Sequence, residues 1–169
     1  MKRHTPILLM TACITFLTGC MFASCAEESD CSVAGRATIR ASVMQTDAEG
    51  NTVTSSLEYL TVTALGTDSV LYNAGTNVTD VFLPLNYTAD TTVWVLHYNS
   101  ANLALDTDTI WIRHTNTPVF VSMDCGYDMT QAILNEEGAV QHTTYRLKSL
   151  NITSLSANTD GTKNMELLY

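Results

Sequence analysis

The residues best placed to do chemistry in this 169-residue chain are its five thiols, Cys13, Cys20, Cys25, Cys31 and Cys125. Three of them fall within the stretch "FLTGCMFASCAEESDC". A thiol has two fates open to it here: a thioether bond to a lipid, or oxidation with a second thiol. The sequence has no CxxC and no Cys/His spacing of the kind that builds a zinc site. The remaining candidates are scattered. His97 lies inside an apolar run, His114 ends another, and His142 stands further along. A hairpin about "NSANLALD" would bring His97 nearer Ile110 than His114, so the two are not expected to share a metal. Asp106 and Asp108 alternate in "DTD", and Asp160 precedes Gly161 in "NTDG". Calcium uses such oxygens, but neither segment completes a twelve-residue EF-hand loop, and turn chemistry accounts for both. No glycine-rich phosphate loop, GxSxG elbow or HExxH pair occurs. No catalytic residue, metal site or cofactor is expected.

What positions the early thiols is an export signal. Lys2 and Arg3 open the chain, an uncharged run extends from Pro6 to Leu17, and small residues follow it. The run is too short to span a bilayer, which takes about 20 residues. Leu17, Thr18, Gly19 and Cys20 resemble the lipobox of bacterial lipoproteins, which implies that Cys20 is acylated and begins the mature chain. Several acyl chains make membrane attachment effectively permanent, where a single chain gives only marginal binding. Cys25, at the end of "FASC", is the alternative attachment point. "AEESD" follows it and resembles the acidic tether that sends some Bacteroidetes lipoproteins to the cell surface.

Cysteine parity bears on the same choice. With Cys25 acylated, Cys31 and Cys125 remain as an even pair; with Cys20 acylated, one thiol is left over in an oxidising compartment. Lipobox quality favours Cys20 and parity favours Cys25. Processing acts before pairing, which places Cys20 first. The preferred disulfide is Cys31–Cys125, with Cys25–Cys125 as the alternative. Closing so long a loop is worth roughly 4–5 kcal/mol in the chain-entropy picture.

Charge narrows the partners. Loss of the signal removes Lys2 and Arg3 but no carboxylate, leaving 6 basic against 17 acidic side chains. Nucleic acid and anionic headgroups need a basic footprint, so neither is an expected partner. The membrane is reached through the lipid instead. The 140–150 or so residues that remain suit one domain.

Past a polar tether ending at Gly35, short β-branched runs alternate with turn formers. "ATIRASVM" sets Ala37, Ile39, Ala41 and Val43 on one face, and "EYLTVTAL" does the same with Leu60, Val62 and Ala64. "TVWVLHY" is apolar on both faces, as a central strand would be. "TIWIRH" buries Ile110 and Ile112. "VFVSMDC" is expected to turn Val119, Val121, Met123 and Cys125 inward. "NAGTN" and "HTNTP" are among the segments that read as turns. Pro84 marks "DVFLPL" as an edge strand or its end. A phase shift between Leu147 and Leu150 marks a bulge or a strand end, and "NMELLY" closes the chain with Met165, Leu167 and Tyr169 on one face. The only helical spacing is in "YDMTQAIL", giving at most a short helical turn near residues 127–134. The pattern predicts an all-β fold, an antiparallel sandwich of immunoglobulin-like type.

The segments "LTVTALGTDSVLYN", "VFLPLNYTADTTVWVLHY" and "TDTIWIRHTNTPVFVSMDCGYDM", with the closing "NITSLSANTDGTKNMELLY", resemble a family of small Bacteroidetes lipoproteins that have no assigned activity. The likeness covers Leu60 to Tyr169. It implies export, a β-rich domain, a cysteine in "DCG" (Asp124, Cys125, Gly126) and another near the mature N-terminus, matched by Cys31. The triplets holding Ser69, Thr91 and Thr109 are similar to Bacteroidetes O-glycan sites. The expected organisation is a signal peptide over 1–19, an acylated tether over 20–35 and one sandwich over 36–169. The expected protein is a non-enzymatic binding or accessory lipoprotein of the outer membrane, facing the periplasm or the surface, with a protein or glycan partner. The alternative is an enzyme or metal-dependent module acting on envelope polymers. Trp111, Tyr98, Tyr127 and Tyr72 are the aromatic side chains considered for recognition.

Overall fold

Period-two alternation sets most of the strands. The computed structural model describes residues 35–67 and 69–169. Within them run β1 (Ile39–Thr46), β2 (Thr52–Thr54), β3 (Leu57–Ala64), β4 (Val70–Val78), β5 (Asp80–Leu83), β6 (Thr91–His97), β7 (Thr107–Ser122), β8 (Gly126–Ile133), β9 (Val140–His142), β10 (Ser149–Ile152) and β11 (Lys163–Leu168). The expected signal and tether, with Cys20, Cys25 and Cys31, lie outside the described residues.

The strands form two sheets packed as a β-sandwich. One has the order β10-β11-β1-β2, with β5 also paired to β1. The other has the order β4-β3-β6-β7-β8, with β9 also paired to β7. Ile39, Ala41 and Val43 of β1, Val81 and Leu83 of β5, and Met165 and Leu167 of β11 meet Leu60, Val62, Trp94, Leu96, Ile110 and Ile112 of the facing sheet. Of these, the β1, β3, β7 and β11 residues are the ones the alternation placed inside. β5 ends at Leu83, immediately before the donorless Pro84. Leu147 is fully buried but precedes β10, so the phase shift there is a strand end.

Four expectations need correction. Residues 127–134 contain no helical turn. Gly126–Ile133 is β8, whose backbone pairs with β7 from Ser122↔Gly126 to His114↔Ile133. The helical spacing of Met129, Ala132 and Ile133 was coincidental, because burial of Gln131 and Ile133 follows period two. "HTNTP" is likewise no turn, since β7 runs through it unbroken for 16 residues. The buried phase of Ile110, Ile112 and His114 therefore continues on even-numbered positions, and Val119, Val121 and Met123 point outward and are exposed. The sandwich is not wholly antiparallel, because β1 and β11 pair in parallel.

"NAGTN" is the fourth. It sits inside β4, where the register slips between Leu60↔Gly75 and Val62↔Tyr72. That slip leaves one extra residue on β4, a β-bulge. Ala74 absorbs it with a positive φ of 47°, and its N–H donates to Thr61 Oγ1 at 3.0 Å. Turn-forming residues are what such a bulge needs, so the composition signal was correct and its reading as a chain reversal was not. The bulge brings the Tyr72 ring over Gly75, where a Cβ would stand 2.3 Å from Tyr72 Cε1. Gly75→Ala is expected to cost about 1–3 kcal/mol of stability. The same substitution in a Tyr72→Ala background should cost a small fraction of that, measured by urea denaturation as a double-mutant cycle.

Candidate functional site

Two buried polar clusters and one exposed apolar arm mark the side chains whose placement hydrophobic burial alone does not explain. The first cluster surrounds Asp108, which β7 carries into the interior with no solvent exposure. Its Oδ1 accepts from Thr143 Oγ1 (2.7 Å) and Tyr145 N–H (2.7 Å). Its Oδ2 accepts from Arg146 N–H and Leu147 N–H, both at 2.8 Å, and from Tyr98 O–H at 3.1 Å. Burial pushes the carboxyl pKa up, but the donors from Thr143, Arg146, Leu147 and Tyr145 outweigh it and hold the pKa below the ordinary carboxylate value. Tyr98 O–H also meets Tyr169 O–H at 3.1 Å, which ties the carboxylate to the end of the chain beyond β11. Burial is the main reason both phenol pKa values are raised.

The second cluster sits where β7 leaves the body of the sandwich. His114 is buried, and its Nε2 lies 2.8 Å from Thr92 Oγ1. Thr92 Oγ1 accepts from Asn86 N–H at 2.7 Å, so its own hydrogen is free to donate to Nε2. The other ring nitrogen, Nδ1, is a buried atom with no hydrogen-bond partner among the described residues. Burial holds the His114 pKa below its usual value. Two residues on, the Asn116 amide donates to Asn86, Tyr87 and Ala89 carbonyls. Gln131, opposite it on β8, donates to Asn116 Oδ1 at 2.7 Å. The 86–90 turn is thereby fastened to the root of the β7–β8 hairpin.

Beyond that root the hairpin becomes a two-stranded ribbon. From Thr117 to Thr130 neither strand has a third partner strand among the described residues. One face carries Pro118 opposite Met129 and Phe120 opposite Tyr127, whose rings meet edge-on at 5.5 Å. Met123 in the turn is 89% exposed and Tyr127 72%. Phe120, Val119 and Val121 are exposed as well. Exposed apolar side chains gathered on the two faces of one arm mark an interaction site more often than chance.

A family model described as a family of unknown function (DUF6452) matches residues 59–169. The chain belongs to that family. No curated protein and no solved structure matches it. The DUF6452 match begins within β3 and takes in both polar clusters and the whole arm.

In this DUF6452 chain the sequence candidates end up far apart. His97 and His114 occupy opposite ends of the β6–β7 hairpin: His97 pairs with Thr107, while Thr92 beside His114 pairs with Ile112. His97 binds Thr63 Oγ1 and Leu103 O, and His142 Nδ1 donates to Thr143 O. Among the described residues no three His, Cys, Asp or Glu side chains gather as metal ligands. Of the four aromatics, Tyr98 is core, Tyr72 and Trp111 are half-buried, and Tyr127 is exposed on the arm. Cys125 closes the arm's turn, its N–H donating to Ser122 Oγ at 3.0 Å, and it is not a free thiol. The sequence reading missed the role of Asp108. Its one signal was a carboxylate in the buried phase of Asp108, Ile110 and Ile112.

Both clusters make the fold sensitive to acid. A native His pKa below the unfolded value means that the unfolded chain takes up the proton first, so stability falls as pH drops below about 6.5. Asp108 follows lower down: its contribution is complete above the ordinary carboxylate range and is lost as pH falls through its depressed native value. Asp108→Asn puts an amide N–H₂ among backbone donors and is expected to cost on the order of 3 kcal/mol at neutral pH. Urea midpoints measured from about pH 7 to pH 2 should show the gap between wild type and Asp108→Asn closing only in the most acidic part of the range.

Proposed function

We propose that this DUF6452 chain is an exported lipoprotein of Bacteroidetes type, anchored in the outer membrane through acyl chains on Cys20 or Cys25. It acts as a non-enzymatic binding or accessory module with a protein or glycan partner. On this reading residues 1–19 are removed as the signal, 20–35 form the tether, and Cys31 pairs with Cys125. The supporting observation is the β7–β8 arm. Its aromatic pair and exposed methionine form an anchor of the sort that dominates binding energy at interfaces, held rigidly by a polar root. The carboxylates Asp124 and Asp128 lie among these residues, and no Lys or Arg falls between Arg113 and Arg146. The arm therefore suits an apolar seat with a basic rim rather than an anionic surface.

Mass spectrometry of the mature protein tests the anchor. The expected N-terminus is an acylated Cys20 or Cys25, and an unmodified chain starting at Met1 defeats the proposal. Non-reducing peptide mapping should recover Cys31 joined to Cys125. A photo-crosslinker at Phe120 should capture a discrete partner in the intact envelope, while one at exposed Glu49 should not. With the crosslinker kept at position 120, Tyr127→Ser should abolish that crosslink while changing stability by no more than about 1 kcal/mol.

A further inference from the structure

A second surface, independent of the arm and of the lipid anchor, lies on the outer face of the β6–β7–β9 region. Trp111 points away from the core there, flanked by Val93 on β6 and Gln141 on β9 in register with it. The 134–139 loop forms a wall beside it. Arg113 fixes this wall with both of its backbone groups, donating to Ala139 O (2.8 Å) and accepting from Leu134 N–H (3.0 Å). The resulting cleft, about 310 Å³, is lined by Thr91, Trp111, Arg113, Gly138, Ala139 and Gln141. Its size falls at the small end of the range for ligand sites.

The two tryptophans differ in a telling way. The Trp94 indole is wholly buried and donates its N–H to Pro84 O at 3.3 Å. Trp111 is half-buried, and its N–H has no acceptor among the described residues. Trp111 thus lines the cleft with apolar surface while its donor is not used by the fold. Around it stand planar polar groups. Gln141 Nε2 donates to Gly138 O at 3.3 Å, which orients the amide, and Arg113 Nη1 is ion-paired with Glu136 Oε1.

We infer that this cleft binds a neutral saccharide. An apolar ligand would take water from the remaining N–H groups and carbonyl oxygen of Arg113 and Gln141 and put nothing in its place. An anionic one would meet a chain carrying 17 acidic side chains against 8 basic ones, with the cleft's one cation already neutralised by Glu136. A pyranose ring satisfies both constraints: its C–H face lies on the indole, while its hydroxyls serve as donors and acceptors for Gln141, Arg113 and Thr91.

Calorimetric titration of the full chain in detergent with cellohexaose, maltohexaose and chitohexaose tests this. Saturable binding of at least one is expected. It should be lost in Trp111→Ala and weakened about tenfold or more in Gln141→Ala, an exposed position outside the core. Phe120→Ser on the arm should leave it unchanged. The inference is overturned if none of the three binds, or if binding survives unchanged in both cleft variants. Acylation and arm crosslinking are read separately, so failure of one proposal does not mask failure of the other.

Discussion

A carboxylate buried without water must be ringed by donors, or the strand that carries it cannot enter the core. Asp108 meets this condition through the segment that follows β9. Thr143, Tyr145, Arg146 and Leu147 all donate to it, three of them from the backbone. Those donors wrap residues 143–147 around a single side chain, and the wrap delivers Leu147 to the core, where it is fully buried. It also sets the path into β10 and thus the edge of the first sheet. Through Tyr98 and Tyr169 the same carboxylate reaches the residue that follows β11. One ionised group in the second sheet thereby fastens both the segment that leads into β10 and Tyr169, which follows β11.

β7 carries that group and most of the other features of interest. Its 16 residues pass through three environments with no break in pairing: the core at Ile110 and Ile112, the polar root at His114 and Asn116, and open solvent beyond Thr117. The change of partner strand makes this feasible. β6 accompanies it only to Arg113, and β8 takes over from His114. Pro118 is tolerated because by then the strand has one free edge, where a missing N–H costs nothing. An isolated two-stranded ribbon is marginal in water. The arm is held at its base by Asn116 and Gln131 and braced by the Phe120–Tyr127 contact.

Much of this was legible from residue types alone. Alternation in Ile39–Val43, Leu60–Val62 and Met165–Leu167 gave the core faces, and the donorless Pro84 gave the end of β5. What misled was punctuation. Asn, Thr, Gly and Pro clusters signal backbone that departs from a regular ladder, and a bulge or a lone edge satisfies them as well as a turn does. Reading "HTNTP" as a reversal reset the phase of everything after it. That reset turned the exposed Val119, Val121 and Met123 into apparent core. The site was less legible for another reason. The donors that justify Asp108 come 35 or more residues later and are mainly backbone N–H groups, which leave no mark on side-chain identity. The resemblance read over Leu60–Tyr169 and the DUF6452 match over 59–169 coincide to within a residue. The stretch that the family covers was therefore visible where its internal chemistry was not.

The distribution of polar groups separates holding from binding. The Asp108 carboxylate and the Asn116 amide are occupied by the protein itself, so their hydrogen bonds are spent on shape. Trp111 and the Phe120–Tyr127 face are the reverse, with apolar area and an indole N–H that the fold leaves unused. Side chains that cost free energy to expose, set on strands held in register by their neighbours, are what a pre-organised recognition surface requires. Their separation also matters. The arm's base is fixed by β7 and β8 beyond His114, whereas the Trp111 cleft is built on β6, β7 and β9 before Arg113 ends. Occupying one leaves the other's supporting hydrogen bonds in place, so the two surfaces can engage different partners without competing.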